Sequence, residues 1–328
     1  MARNTTSLVL YPVTNRFTNG IGDRVENLSE TQFAYLLLAP MGIVLFAMAF
    51  WPLGHTFYMS LHADDLYTAD WTGAFVGLEN YVGILTGEYD ARLPRPLFST
   101  DQIFTSALTV TLIFTIVAVV LETILGFAMA LILDQSFRGR RWVRMGFIFP
   151  WTVPIVIQGM IFYLFFQPGI GPGVELMQGL GVFSSTPLAS SVDSLIIVIF
   201  ADIWKQSAFM ALLILAGLQS INRDLYKVGE VAGASRWQRF KTITFPLVLP
   251  ALLVALLFRT IAALHVYGTI ETVTHCSTVP SLSCLVIETF NAGRYASAAS
   301  IAFITASIIG VLLLGYLLVM RRVGRGAV

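Results

Sequence analysis

The stretch FTSALTVTLIFTIVAVVLETILGFAMALIL, residues Phe104–Leu133, decides the fold class. Its 30 residues contain a single charged side chain, Glu122. A transmembrane helix needs about 20 mostly apolar residues to cross about 30 Å of hydrocarbon. We therefore expect this stretch to cross a membrane as a helix that is long enough to tilt or to emerge from the bilayer.

The composition of the chain supports this interpretation. Of its 328 residues, 56% are hydrophobic and only 12% are charged, whereas an ordinary soluble domain carries about 25% charged residues. So few charges cannot cover the surface of a chain of this size in water. No basic patch with interleaved aromatic residues indicates nucleic acid as a partner. The segment Ser7–Val13 is too short and too weakly apolar for a signal-peptide core, so we expect the N-terminus to be retained.

Six stretches are long and apolar enough to cross a bilayer. The predicted spans are Phe33–Trp51, Phe104–Leu133, Met145–Phe166, Ser194–Leu218, Leu247–Val266 and Ser297–Met320. We expect the third span to be broken by Pro150 and Pro154, and the fifth to open with Pro246 and Pro250. The predicted fold class is an all-α polytopic membrane protein of about six transmembrane helices, with its transmembrane domain over residues 33–320.

Lysine and arginine residues predict the orientation, because cytoplasmic loops carry an excess of them. Most of the 20 basic residues fall on one side of the six predicted spans. That side would hold the N-terminal segment 1–32, the loop 219–246 and the basic tail 321–328. Both termini are therefore expected in the cytoplasm, with residues 62–103 as an outer loop.

The loop after the fourth span, Ser220–Pro250, reads SINRDLYKVGEVAGASRWQRFKTITFPLVLP. Asn222 is a favoured N-cap, and a short helix is expected to run from it to about Ala232. Gly233 permits the backbone reversal that ends this helix. Ser235, followed by a glutamine three residues later, forms a capping box for a second helix. The sequence therefore predicts a helix–turn–helix on the cytoplasmic face.

The second helix of this loop combines aromatic and basic side chains. Trp237, Phe240 and Thr244 recur at i, i+3 and i+7, with arginines and a lysine elsewhere around the helix. Two interpretations of this pattern stay open. One is an amphipathic hairpin that lies on anionic lipid. The other is a helix whose aromatic side chains dock into a groove of a partner protein.

The loop resembles the EAA loop of binding-protein-dependent ABC importer permeases. The family pattern is Glu-Ala-Ala, two residues, Asp-Gly-Ala, a spacer, a phenylalanine, then an isoleucine and a closing proline. The residues that fit the pattern are Gly233, Ala234, Phe240, Ile243 and Pro246. Lys227 stands in place of the glutamate and Ala232 in place of the aspartate.

Other phrases, in the same order along the chain, are similar to the maltose- and glycerol-phosphate-type sugar branch of this family. They are Leu38–Pro40, Trp51–Pro52, Phe75–Tyr81, Phe149–Trp151, Ile203–Lys205 and Ala211–Ile221. The resemblance covers the chain from about Leu38 to the C-terminus. It implies a type I ABC importer permease fold in a prokaryotic cytoplasmic membrane.

The resemblance also implies that the loop forms coupling helices, which dock onto a separate ATPase subunit. The residues expected at this contact are Lys227, Glu230, Gly233, Ala234, Arg236, Trp237, Arg239 and Phe240. The sequence contains no Gly-x-x-x-x-Gly-Lys-Ser/Thr phosphate loop, so we do not expect this chain to hydrolyse ATP by that route. ATP and magnesium would be bound by the partner ATPase, and this chain would bind no cofactor or metal.

The implied assembly contains two ATPase subunits, a second permease subunit that is a different chain, and an extracellular or periplasmic solute-binding protein. This chain would form half of a path through the membrane for a sugar or related polyol, opened by alternating access. Monosaccharides, disaccharides and glycerol phosphates all stay open as substrates.

Ionisable residues inside membrane spans are costly and are functional candidates by default. They are Glu122, Asp202, Lys205, Arg259 and His265. Asp202 and Lys205, at i and i+3, are expected to pair on one helix face. Glu122 and Arg259 are candidates for an ion pair between helices. Structural pairs of this kind are the alternative to a functional role.

Aromatic and hydroxyl-reading side chains in the spans are candidates for the substrate pathway. They are Gln158, Tyr163, Asp202, Gln206 and Tyr267. The alternative is that the partner permease carries the sugar site.

The two cysteines, Cys276 and Cys284, fall in the predicted outer loop between the fifth and sixth spans. That face of the membrane is oxidising in many cells, so a disulfide is compatible with the sequence. Two free thiols are compatible with it as well.

Two other classes of function are disfavoured. None of the four histidines lies in a His-Glu-x-x-His helix, and no Gly-x-Ser-x-Gly elbow is present, which argues against an intramembrane enzyme. A membrane scaffold without transport activity would leave the helix–turn–helix unexplained.

Overall fold

The computed structural model describes residues 28–65 and 73–325. Parts of three predicted segments lie outside the described residues. These parts are residues 1–27 of the N-terminal segment, residues 66–72 of the outer loop and residues 326–328 of the basic tail.

The described residues form α-helices, short helical turns and connecting loops, with one isolated bridge between His62 and Phe75. The α-helices are α1 Glu30–Leu45, α2 Trp51–Ser60, α3 Glu79–Thr86, α4 Ala107–Asp134, α5 Arg140–Thr152, α6 Ile155–Phe165, α7 Pro172–Gly179, α8 Ser191–Gln219, α9 Asp224–Val231, α10 Arg236–Arg239, α11 Phe245–Leu264, α12 Gly268–Val273, α13 Leu282–Asn291 and α14 Tyr295–Arg325. Two π-helical turns, Phe46–Phe50 and Phe240–Thr244, join α1 to α2 and α10 to α11. Two 3-10 turns are Asp90–Arg92 and Pro187–Ala189.

Within the described part of the chain, five continuous helical segments are long and apolar enough to cross a membrane. They are Glu30–Ser60, Ala107–Asp134, Ser191–Gln219, Arg236–Leu264 and Tyr295–Leu318. The helices α5 and α6, which meet at an angle of 93°, make a sixth when the bent pair is counted as one span. The prediction of an all-α membrane protein with about six spans is therefore confirmed.

The third span breaks at one of its two prolines only. Val153 is extended, with φ −69° and ψ 126°, and it ends α5. A residue that precedes a proline avoids the helical region because the proline ring clashes with its backbone, so Pro154 explains the break. Pro150 lies inside α5, and the prediction that it breaks the span is wrong. A proline inside a membrane helix leaves one backbone carbonyl without its N–H donor, and such a proline is tolerated because neighbouring helices can satisfy the freed group.

The fifth span begins earlier than predicted. The helix that follows the capping box runs through the π-helical turn into α11, so that Arg236–Leu264 is one continuous segment. Pro246 is the second residue of α11, directly after that turn. Pro52 occupies the same place after the π-helical turn in the first span. A proline has no backbone N–H to donate to the preceding helical turn, and its ring clashes with a carbonyl group of that turn. The wider π-helical turn gives the ring the space it needs.

Small residues bring the long helices of the bundle close together. A Cβ atom added at Gly126 of α4 would lie 2.6 Å from the Cβ of Met210 in α8. A Cβ added at Gly217 of α8 would lie 2.5 Å from the Cβ of Ala251 in α11. Close approach through small side chains is a common way to pack helices within a membrane. The core of the bundle therefore lies between α4, α8 and α11.

The chain divides into two compact units, residues 1–56 and 57–328. In the first unit, every side chain of α1 is exposed, although the helix is strongly apolar. In the second unit, the loop after α2 caps α14: the carboxylate of Asp64 accepts bonds from the backbone N–H groups of Ala296 and Ser297 at 2.9 and 3.0 Å. An acidic group is favourable at the N-terminus of a helix.

Candidate functional site

The helix–turn–helix after α8 is present, with its first helix starting slightly later than expected. We call residues 220–244 the hairpin. Arg223, and not Asn222, occupies the N-cap position of α9, so the predicted cap is displaced by one residue. The side chain of Asn222 still accepts the N–H of Asp224 at 2.9 Å, and an Asx turn therefore leads into the helix.

The turn of the hairpin follows the sequence prediction closely. Gly233 has φ +78°, a left-handed conformation that favours glycine. The N–H of Ala234 donates to the carbonyl oxygen of Gly229 at 2.9 Å, which closes the end of α9. At the start of α10, Ser235 and Gln238 form both bonds of the capping box, at 3.3 and 2.7 Å. These contacts give the turn one defined conformation.

The two arms of the hairpin pack against each other. A Cβ atom added at Gly229 would lie 3.3 Å from the side chains of Arg239 and Ile243, so the glycine allows the close contact. The guanidinium Nη1 of Arg239 lies 3.4 Å from the carboxylate Oε2 of Glu230. The hydroxyl groups of Tyr226 and Thr244 lie 3.0 Å apart. The hairpin is therefore held as a unit.

The outer surface of the hairpin exposes large apolar side chains. Trp237 is 70% exposed and Val231 is 90% exposed. The Trp237 ring stacks on Phe240, with centroids 5.4 Å apart. Lys227 is also exposed and pairs with Asp224 at 2.8 Å. Exposed apolar side chains on a structured helical hairpin are typical of a surface that contacts lipid or another protein.

Two contacts connect the hairpin to the second span. Arg223 binds the carboxylate of Asp134, the last residue of α4, through both terminal nitrogens, with one distance of 2.7 Å. This hydrogen bond raises the pKa of Arg223 above its usual value. The rings of Phe127 in α4 and Phe240 lie 5.7 Å apart. The contact of Asp134 was not predicted, because its signal in the sequence was only an acidic residue at the end of an apolar span.

The ionisable side chains inside the spans meet in a buried network. Arg259 of α11 binds both Glu122 of α4 and Asp202 of α8, with 2.9 Å between its Nη2 and Oε1 of Glu122. All three side chains are buried. The expected ion pair between Glu122 and Arg259 is therefore present. The Nζ of Lys205 donates to the carbonyl oxygen of Val153 at 2.7 Å, whereas the hydrogen-bond partner of Asp202 is Arg259.

The hydrogen bond from Lys205 to Val153 lies at the bend of the third span. Val153 ends α5, so its carbonyl oxygen is at the break of the helix. One turn earlier on α8, the carbonyl oxygen of Ala201 accepts the side chain N–H of Gln158 in α6 at 2.7 Å. The bent span is thus attached to α8 on both sides of its break. Polar groups at such breaks must be satisfied within the protein.

The structure separates the five residues predicted for the substrate pathway. Asp202 is buried in the charge network and Gln158 is buried against α8. Gln206 is half-buried on α8. Tyr163 and Tyr267 line two different cavities at the end of the spans that lies opposite the hairpin. The assignment of these residues to a substrate pathway stays a prediction.

Cys276 and Cys284 form a disulfide in the structure. The bond joins the segment after α12 to the start of α13. His265, the remaining ionisable candidate, is exposed, and its Nδ1 lies 2.8 Å from the carbonyl oxygen of Ile261.

Comparison with known proteins gives a consistent set of relatives. Residues 122–327 match the family described as binding-protein-dependent transport system inner membrane component. The trehalose/maltose transport system permease protein MalF of Thermococcus litoralis is 35% identical over 299 residues, which cover 90% of this chain and 95% of the relative. The trehalose transport system permease protein SugA of Mycobacterium tuberculosis is 34% identical over 249 residues, which cover 76% of this chain and 75% of the relative.

A solved structure has a similar fold. It is the crystal structure of a bacterial ABC transporter involved in the import of the acidic polysaccharide alginate. The matching chain gives a TM-score of 0.67 at 21% identity, over 94% of this chain and 99% of that chain. At this identity the likeness concerns the fold alone.

Proposed function

Because the chain belongs to the binding-protein-dependent transport system inner membrane component family, we propose that it forms half of the path by which an ATP-driven importer carries a sugar or related polyol. Members of this family are transport permease subunits and not enzymes, and this chain is a multi-pass protein of the cytoplasmic membrane. Its relatives described above are named for trehalose and maltose, so these disaccharides are the first candidate substrates.

The proposed point of coupling to ATP hydrolysis is the hairpin. The observation that carries this proposal is the way in which the hairpin is joined to the spans. Its second arm continues into α11 without a break, and Arg223 ties its first arm to Asp134 at the end of α4. A partner that moves the hairpin would therefore move two spans with it.

The partner would hold the surface that contains Trp237 and Val231. A groove that accepts an amphipathic helix with aromatic anchors is a common form of protein recognition. The proposed contact also includes Lys227, Glu230, Gly233, Ala234, Arg236, Arg239 and Phe240. The alternative, a hairpin that lies on anionic lipid, would place the same side chains against the membrane.

The rest of the proposed assembly is what the resemblance to ABC importer permeases implies, and the missing phosphate loop agrees with it. This chain has no such loop, so a separate ATPase would bind ATP and magnesium. Two ATPase subunits, a second permease subunit of different sequence and a solute-binding protein complete the importer. ATP binding would close the ATPase pair, and the hairpins would convert that movement into alternating access.

The test uses the complete transporter in proteoliposomes, with uptake of labelled maltose and trehalose and binding-protein-stimulated ATP hydrolysis as readouts. Trp237→Ala should leave membrane insertion unchanged and abolish uptake. Gly233→Pro should do the same, because a proline cannot adopt φ +78°.

Trp142→Ala is the matched control. Trp142 of α5 is 74% exposed, but it lies outside the hairpin, so its removal should leave uptake unchanged. Wild-type uptake by both hairpin variants would overturn the proposed coupling. Equal loss in the Trp142 and Trp237 variants would show a general effect of removing an exposed tryptophan, which also contradicts it.

A further inference from the structure

Two neighbouring cavities open at the end of the spans that lies opposite the hairpin. The hairpin joins the end of α8 to the start of α11, whereas the cavities lie beyond the end of α6 and the end of α11. Each has a volume of about 300 Å³. His275 lines both, so the two cavities are neighbouring compartments. We call the two compartments together the vestibule.

The first compartment lies between α12 and α13 and the segment that joins them. Tyr267, Glu271 and His275 recur at four-residue intervals along one side of it. Glu288 and Asn291 of α13 line the other side. The lining therefore presents an aromatic ring, two carboxyl groups, an imidazole and an amide.

The second compartment lies between the end of α6 and the loop that precedes α8. Its polar and aromatic lining consists of Tyr163, Gln167, Thr186 and His275. Together the two compartments present two tyrosine rings, two amides and two carboxyl groups. Tyr163 and Tyr267, which the sequence places in the substrate pathway, thus line neighbouring compartments.

The walls of the vestibule are held by covalent and hydrogen bonds. The Cys276–Cys284 disulfide joins the two sides of the first compartment. The carboxylate of Glu271 accepts the N–H of Cys276 at 3.1 Å, and Arg95 from the outer loop donates to the carbonyl oxygen of Ser277 at 2.5 Å. A lining that is fixed before a ligand arrives loses less entropy on binding.

The chemistry of the lining selects a class of ligand. In residues 28–65 and 73–325, no group of three His, Cys, Asp or Glu side chains could hold a metal ion, which argues against a cation site. Carboxylates accept several hydrogen bonds at once, and amides both accept and donate them. Aromatic rings offer apolar faces for the C–H face of a sugar ring. A neutral polyhydroxylated molecule satisfies all of these groups.

We propose that the vestibule is a sugar-binding site of this subunit, which receives the sugar before it enters the membrane-spanning path. Tyr163 and Tyr267 provide the apolar faces, and Glu271 and Gln167 bind the hydroxyl groups. This site rests on the proposed transport function. It is separate from the buried network of Glu122, Asp202 and Arg259, whose side chains are closed off by packing.

The experiment places a fluorescent label in the vestibule. The two native cysteines are bonded to each other, so Asn291→Cys introduces the single free thiol of this chain. The complete transporter, with cysteine-free partner subunits, is labelled in nanodiscs without binding protein and titrated with maltose and trehalose. Glu175→Cys is the matched control, because Glu175 is exposed on α7 beyond α6, at the same end of the spans, and does not line either compartment.

A saturable change of fluorescence at position 291 and none at position 175 is the expected result. In the labelled protein, Tyr267→Ala should weaken the apparent sugar affinity about tenfold, since one aromatic face is lost. Glu271→Gln, which keeps the size of the side chain, should weaken it by a smaller factor. An unchanged affinity in both variants would overturn the assignment of the site.

ATP-driven uptake by the same unlabelled transporter separates this inference from the proposed function. Uptake without any sugar-dependent signal at position 291 overturns the vestibule site and leaves the transport function standing. A saturable signal without uptake supports the site and contradicts the transport function. Neither signal nor uptake contradicts both.

Discussion

The hairpin and the buried network use the same kinds of residue in opposite surroundings. In the hairpin, Lys227 and Asp224 form an ion pair with side chains 76% and 72% exposed. In the network, Arg259 binds two carboxylates, and its side chain is 3% exposed. Water screens the first pair, so it stabilises the fold by little. The buried network is shielded from water, so removal of one of its charged side chains leaves an uncompensated charge in the core.

The difference in exposure also indicates a different role for each of the two regions. The hairpin keeps its charges and its Trp237 ring available at the surface, where a partner can reach them. The network instead joins three spans through side chains that no partner can reach. The pair between Arg223 and Asp134 is intermediate, because the arginine side chain is half exposed and the carboxylate is mostly buried. A series of substitutions can therefore test whether stability follows burial.

The largest effect is expected at Arg259. Arg259→Ala removes the arginine that binds both Glu122 and Asp202 in the core, which should destabilise the protein by about 3–5 kcal/mol. Thermal unfolding of the purified transporter measures the change, with Arg141→Ala at an exposed position as control. An unfolding midpoint equal to that of the control variant would contradict a structural role for the network.

A smaller effect is expected at Arg223. Arg223→Ala removes two charge-assisted bonds to Asp134 and should cost about 1–2 kcal/mol. A double-mutant cycle with Asp134→Ala isolates the pair, since the second substitution should then have little further effect. Additive effects of the two substitutions would show that the observed contact does not stabilise the hairpin.

A local effect is expected at the capping box. Ser235→Ala removes the side-chain acceptor for the N–H of Gln238 and should weaken the start of α10 by about 1 kcal/mol. Hydrogen exchange of the hairpin amides measures this, with Ser220→Ala as a serine control outside the box. Equal exchange rates in wild type and the Ser235 variant would mean that the tertiary contacts alone hold the turn.

The smallest effect is expected at Lys227. Lys227→Ala breaks an exposed i, i+3 pair and should change stability by only a few tenths of a kcal/mol. Its unfolding midpoint should therefore match the wild type within error, although the same variant reports on docking if ATPase stimulation falls. A loss of stability as large as that of the Arg223 variant would contradict the relation between burial and stabilisation.

Local features of the hairpin could be predicted well from the sequence. The left-handed Gly233 and the Ser235–Gln238 capping box depend on residues within a few positions of each other. The continuity of the second arm with α11 was not predicted. Pro246 and Pro250 suggested a helix start there, but Pro250 lies inside α11. The π-helical turn that accommodates Pro246 is visible only in the folded chain.

The sequence by itself determined the membrane class, the approximate positions of the spans and the turn of the hairpin, because apolar length and capping chemistry are local properties. Only the tertiary structure decided which charges meet. Asp202 lies 57 residues from Arg259 and Glu122 lies 137 residues from it, and a neighbour at i+3 suggested a different partner for Asp202. The pairing follows from the packing of α4, α8 and α11, which depends on side-chain shapes across the whole bundle.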